Sequence, residues 1–122
     1  MNNKYAVKKI LNKFMTGTWK NEFSLSEKKG FEICKISEDG IYTINGEHWF
    51  NIKDLKFNTY TNKITFIKTA IKPGDFRKFY NELLIINRNL ISGTYYLSDS
   101  SKPGNNKKNI PSFSLKYIRL KK

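Results

Sequence analysis

The side chains able to do chemistry are few and scattered. Cys34 is the one cysteine and His48 the one histidine. They cannot build a multi-thiolate zinc site, and one cysteine forms no internal disulfide. Cys34 lies between Ile33 and Ile36 in a strand-like run. A small packing residue accounts for it better than a nucleophile does. His48 follows Glu47 at a strand start. An exposed or hydrogen-bonded histidine is a better account than a haem ligand or a base. Glu22 and Glu32 fall on neighbouring strand candidates, and face to face they would form a carboxylate pair. Charges on polar faces are the simpler account. There is no Gly-x-Ser-x-Gly, no phosphate-binding loop and no Gly-x-Gly-x-x-Gly. The residues therefore predict no enzyme, no metal site and no cofactor.

The aromatics say more. Trp49-Phe50 and Tyr95-Tyr96 are adjacent pairs, so in a strand one ring of each pair must face outward or lie under another element. Phe57, Tyr60, Phe76, Phe79, Tyr80 and Tyr117 add to the excess. Outward rings beside lysines can stack nucleic-acid bases or form a protein-interaction patch. They can equally pack beneath a helix.

The chain has 122 residues, with 23 Lys and Arg against 10 Asp and Glu, for a net charge of +13. Such a field attracts anions, whether nucleic acid, acidic protein or acidic membrane. Arginine occurs only at Arg77, Arg88 and Arg119, while Lys, Asn and Ile abound and Ala is rare. That bias resembles a bacterial proteome from an AT-rich genome. It accounts for Lys over Arg but not for the shortage of acids. The densest candidates for an anion-facing surface are Lys4, Lys8, Lys9 and Lys13, and Lys102, Lys107 and Lys108. The competing account is a surface that only solvates the fold. No window approaches about 18 consecutive apolar residues, so no membrane-spanning helix is expected. The N-terminal residues lack the apolar core of a secretory signal. The expectation is a soluble, cytoplasmic domain.

These residues must be positioned by elements of two kinds. Val7, Ile10, Leu11 and Phe14 fall at i, i+3, i+4 and i+7, and predict one short helix over 3–15. From Gly17 the period becomes two. Trp19, Phe23 and Leu25 share one parity, and Lys20, Glu22 and Ser24 the other. Turn signals then divide the chain: residues 26–30, Asp39-Gly40, Asn45-Gly46, Thr61-Asn62-Lys63, Lys72-Pro73-Gly74-Asp75 and Asn87-Arg88-Asn89. Between them lie strands over 31–37, 41–44, 48–54, 64–71, 76–86, 90–97 and 113–120. Residues 56–60 extend the fourth strand or bridge to the fifth, and the sixth has room for a bulge near Asn81. Residues 98–111 read as a long polar loop. The fold class expected is all-β, an eight-stranded antiparallel meander closed into a barrel, with one short N-terminal helix. The helix, 1–16, would pack on a barrel of residues 17–122 within a single domain.

Gly17-Thr18-Trp19, on the first strand after a short helix, resembles the signature of the lipocalins and fatty-acid-binding proteins, the calycin barrels. The last strand, Leu115-Lys116-Tyr117-Ile118-Arg119-Leu120, strengthens the likeness, as does Asn87 to Gly93. The resemblance implies that Arg119 lies on the Trp19 indole and closes one end of the barrel, a favourable cation–π contact. Two features depart from the family. Residues 26–30 cannot hold the helical lid of fatty-acid-binding proteins, and their internal Arg and Tyr set has no residue-by-residue match.

The leading expectation is a non-catalytic, lipocalin-like barrel that binds a small apolar or anionic ligand in its mouth. The expected lining is Trp19, Phe23, Phe66, Tyr96 and Tyr117. One alternative is a basic-aromatic module that engages nucleic acid or an acidic protein. Another is a structural or regulatory barrel with a filled interior.

Overall fold

The structure, a computed structural model, describes residues 3–24, 28–99 and 112–121. The apolar stripe of the N-terminal segment is carried by α1 (Asn3–Ile10) and then by one π-helical turn over Leu11–Met15. The Thr16 N–H closes that turn by donating to the Leu11 carbonyl at 2.9 Å, five residues back. The single helix expected over 3–15 is thus present, with its last turn widened from α to π. Tertiary contacts win over local propensity here: Trp19 Nε1–H donates to the Met15 carbonyl, and Arg119 takes the carbonyls of Phe14 and Thr16. Leu11 and Met15 are buried against the end of the barrel.

Period-two patterning after Gly17 becomes eight strands. They are β1 (Gly17–Ser24), β2 (Lys29–Ile36), β3 (Ile41–Ile44), β4 (Glu47–Asn58), β5 (Lys63–Ala70), β6 (Arg77–Asn87), β7 (Leu90–Asp99) and β8 (Phe113–Lys121). They close into an antiparallel barrel in meander order, and β1 pairs with β8 with Trp19 opposite Arg119. Asn45 and Gly46 both have positive φ, 54° and 77°, the turn that matches the twist of a two-residue hairpin.

Several boundaries differ from the sequence reading. Lys29 and Gly30 belong to β2 rather than to a turn, and Leu25 lies outside the described residues. β4 runs unbroken to Asn58, with a bulge between Lys53 and Lys56 where Asp54 takes φ 52°. Phe76 lies before β6, because the Asp75 carboxylate accepts from the Arg77 N–H and side chain and fixes the strand start there. The irregularity in β6 falls between Ile85 and Asn87, not at Asn81. Asn81 donates instead to the Phe79 carbonyl at 2.9 Å. Ser98 and Asp99 pair with Lys78 and Arg77, so β7 takes two residues from the expected loop.

The barrel has two unlike halves. Where β1 starts and β8 finishes, Trp19, Tyr42 and Tyr117 are fully buried with Leu11, Met15, Ile36 and Ile64, and the interior is filled. Where β1 finishes and β8 starts, the barrel opens into a mouth.

Candidate functional site

The mouth leads to a cavity of about 570 Å³. Its walls are the inward parity of the strands at that end: Phe23, Ile44, Phe50, Phe79, Tyr95, Leu97 and Phe113, with Trp49 at the rim. Phe50 meets Phe79 edge to face at 5.5 Å, and Phe79 in turn contacts Tyr95 at 6.0 Å. Aromatic pairs at such spacings hold one another beyond simple area burial.

Polar groups gather on the cavity floor. Lys68 is 6% exposed, on the same face of β5 as Ile64 and Phe66. Its Nζ lies 4.3 Å from the centroid of Tyr42 and 4.7 Å from those of Phe50 and Phe79. Glu32 Oε2 is 3.9 Å from that Nζ, beyond hydrogen-bond reach. The Tyr42 hydroxyl donates to Glu32 Oε2 at 2.5 Å and accepts from Asn21 Nδ2 at 3.0 Å. Asn21 Oδ1 and the Tyr117 hydroxyl are buried without hydrogen-bond partners among the described residues.

Burial pushes the Lys68 pKa below its usual range, although the nearby Glu32 charge pulls it back up. Desolvation outweighs attraction because the ammonium is surrounded by rings rather than water. Burial also raises the Tyr42 and Tyr117 hydroxyls well above theirs. The Cys34 thiol is pushed up to about 12 for the same reason. A thiol so reluctant to ionise is a packing residue, not a nucleophile.

Arg77 stands above Lys68, with its guanidinium carbon 5.3 Å from the Phe50 centroid and 5.6 Å from that of Phe79. Asp75 holds it through two bonds, at 2.9 and 2.7 Å. Those bonds raise the Arg77 pKa and lower that of Asp75. At the rim Lys72 bonds Glu47 at 2.8 Å and sits 4.5 Å from the Trp49 ring.

Of the five residues expected to line a ligand site, Phe23 lines this cavity. Trp19, Phe66 and Tyr117 are buried in the filled half. Tyr96 faces outward: its neighbour Tyr95 pairs with Asn81 and Phe113, which sets Tyr95 inside. Tyr96 stacks on Tyr80 outside, with centroids 4.6 Å apart and planes within 6°. Arg119 lies over Trp19, its guanidinium carbon 4.1 Å from the ring centroid. It also donates to the carbonyls of Arg88, Thr16 and Phe14. Glu22 and Glu32 are on opposite faces: Glu22 meets Lys20 outside at 3.2 Å, and Glu32 points inward. His48 Nε2 and Asn51 Oδ1 are 2.7 Å apart, so the histidine is satisfied.

Of the candidate anion-facing lysines, Lys8, Lys9 and Lys13 have described side chains. Lys8 reaches Asp39 at 3.4 Å and Glu38 at 3.8 Å, and Lys13 covers the Phe14 ring at 5.2 Å. Lys9 is exposed on α1. The Lys4 side chain, and Lys102, Lys107 and Lys108 altogether, lie outside the described residues.

Sequence reasoning missed Asn21, Lys68 and Asn81, and weighed Glu32 only as a partner of Glu22. The signal was present as a polar residue in an apolar parity: Lys68 follows Ile64 and Phe66, and Glu32 precedes Cys34 and Ile36.

The fold and site define a closed eight-stranded antiparallel barrel with one short helix, consistent with a calycin-like fold. No protein-family model, curated protein or solved structure matches the chain. Among the described residues, no helix is long and apolar enough to cross a membrane.

Proposed function

We propose that the chain is a lipocalin-like binding domain that takes one small, mainly apolar molecule into the barrel mouth and does not turn it over. The observation that carries this reading is the cavity of about 570 Å³, walled by apolar rings and ending on one buried cation, Lys68. Sites for small molecules have this make-up, a greasy wall with a few convergent polar groups that fix orientation. The Trp19–Arg119 closure and the helix before β1 support the lipocalin-like part of the reading. The half-open interior speaks against a barrel whose role is structural alone.

Trp49 lies on the cavity rim, and the other tryptophan, Trp19, is buried in the filled half. Trp49 emission therefore reports occupancy. Titration with decanol and with decanoate is expected to give a saturable change that disappears in Trp49→Phe. Leu97→Trp, which fills the cavity from its wall, is expected to weaken binding markedly. A flat titration, or undiminished binding in Leu97→Trp, overturns the reading.

A second reading has its own observation. The Tyr80–Tyr96 stack on the outer face, in a chain of net +13, suits nucleic acid or an acidic protein partner.

A further inference from the structure

Lys68 is the one buried lysine among the described residues, and the apolar cavity ends on it. Its charge already has a counter-charge in Glu32, and Arg77 is taken by Asp75. A carboxylate ligand would bring a second anion beside Glu32. A neutral headgroup adds no charge to the floor and suits it better. The groups beside Lys68 are those that amine–carbonyl chemistry requires. A carboxylate 3.9 Å from Nζ is close enough to take its proton through one water, and a tyrosine hydroxyl is bonded to that carboxylate. Asn21 Oδ1, next along the same chain of contacts, is a buried acceptor with no partner among the described residues.

We infer that Lys68 captures an apolar aldehyde in the barrel as an imine. This rests on the ligand-binding reading above and names the headgroup. Glu32 takes a proton from the ammonium, and the freed amine lone pair attacks the aldehyde carbon. The carbonyl π electrons move to oxygen, and the proton lost from nitrogen passes to that oxygen. The product is a carbinolamine, whose hydroxyl is a donor suited to Asn21 Oδ1. Glu32 then returns its proton to the hydroxyl, water leaves, and the nitrogen lone pair closes the C=N bond. The sum is ammonium plus aldehyde giving iminium plus water, with Glu32 again a carboxylate beside the new cation. No oxidant or reductant is consumed. Desolvation of the amine, which favours its neutral form, works in the same direction. Glu32, Cys34 and Arg77 are the titratable groups whose charges act on Lys68, with the Tyr42 ring against it.

The test uses the intact protein, decanal as probe and sodium cyanoborohydride to trap the imine at about neutral pH, where ordinary lysines are protonated. Intact mass is expected to rise by one decyl group per chain, and peptide mapping to place it at Lys68 before any surface lysine. Lys68→Arg keeps the charge but forms no stable imine, and is expected to lose that adduct; decanol binding is followed in the wild type. Adducts spread over surface lysines with Lys68 unmodified overturn the inference. If the wild type binds decanol but Lys68 is not labelled, the aldehyde assignment fails and the binding reading stands. If decanol does not bind either, both fail.

Discussion

At the scale of single residues, the closed end is held by one arginine acting three ways. Arg119 covers the Trp19 indole, fills three backbone carbonyls and joins β8 to the π-helical turn. Burial lowers its pKa, yet hydrogen bonds replace the lost water. Trp19→Ala is expected to cost about 3–5 kcal/mol, as for a large ring removed from a core. Arg119→Ala is expected to cost less, about 1–3 kcal/mol, since water can reach part of the freed carbonyls. Urea denaturation checks both. The two buried tyrosines give a sharper contrast. Tyr117→Phe removes a hydroxyl with no hydrogen-bond partner among the described residues and is expected to be neutral or stabilising. Tyr42→Phe strips Glu32 of its hydrogen bond and Asn21 of its acceptor, and is expected to cost about 1–3 kcal/mol. Equal losses in the two variants would refute this account of the polar floor.

At the scale of elements, Gly93 of β7 pairs with Leu83 of β6 and Leu115 of β8. A Cβ there would stand 2.2 Å from the Glu82 carbonyl oxygen and 2.7 Å from the Leu83 Cα. Both are backbone atoms, so the strands themselves must part. Gly93→Ala is expected to cost about 1–3 kcal/mol, the usual range for overpacking. Gly30→Ala is the control. The nearest atoms to its Cβ would be on the edge of the Phe23 ring, 2.8 Å away at Cε2. Phe23 borders the cavity and has room to turn, so the smaller loss is expected at Gly30. Thermal melts of the two variants decide the order. The N-terminal segment illustrates the same competition between local and tertiary demands. Its apolar stripe is helical, but the hydrogen bonds from Trp19 and Arg119 shape its last turn.

At the scale of the whole molecule, the buried acids make stability depend on alkaline pH. The Cys34 thiol goes from 9.0 up to about 12 on folding, and Tyr42 and Tyr117 also rise, each chiefly through burial. The folded chain holds these protons more tightly than the unfolded one. Their contribution is complete below pH 9.0 and is lost progressively as pH climbs towards about 12. Lys68 has the opposite sign: its folded pKa is depressed, so its contribution grows with pH up to its ordinary 10.5. The urea midpoint is therefore expected to fall most steeply above pH 10.5, where Lys68 no longer opposes the acids. Cys34→Ala is expected to shallow the fall. The net +13 predicts a different dependence, on salt. Any attachment to single-stranded oligonucleotides is expected to be weak and to vanish as salt rises from about 50 to 200 mM, because Lys without clustered Arg gives sequence-blind attraction. Decanol binding, which is apolar, is expected to hold across that range. Salt-resistant oligonucleotide binding lost in a Tyr96→Ala variant would favour the outer-face reading instead.

Period-two patterning and Asn-Gly and Asp-Gly turns were enough to specify the strand count, the meander and closure, because alternation and turn chemistry are local properties of the chain. The Trp19–Arg119 contact was expected from the resemblance to the calycin barrels, and closure makes the two strands that carry it neighbours. Register was not legible, and register decides which ring of an adjacent pair points inward. Tyr95 rather than Tyr96 faces the cavity because β7 aligns it with Asn81 and Phe113. Nor does alternation say which half of a barrel fills. Trp19, Tyr42 and Tyr117 meet at one level only when their strands are assembled, and their bulk leaves the cavity to the other end. Lys68 and Glu32 stood in the sequence as charges on apolar faces. Their meeting across the barrel floor is a contact between distant strands, so only the tertiary structure decides it.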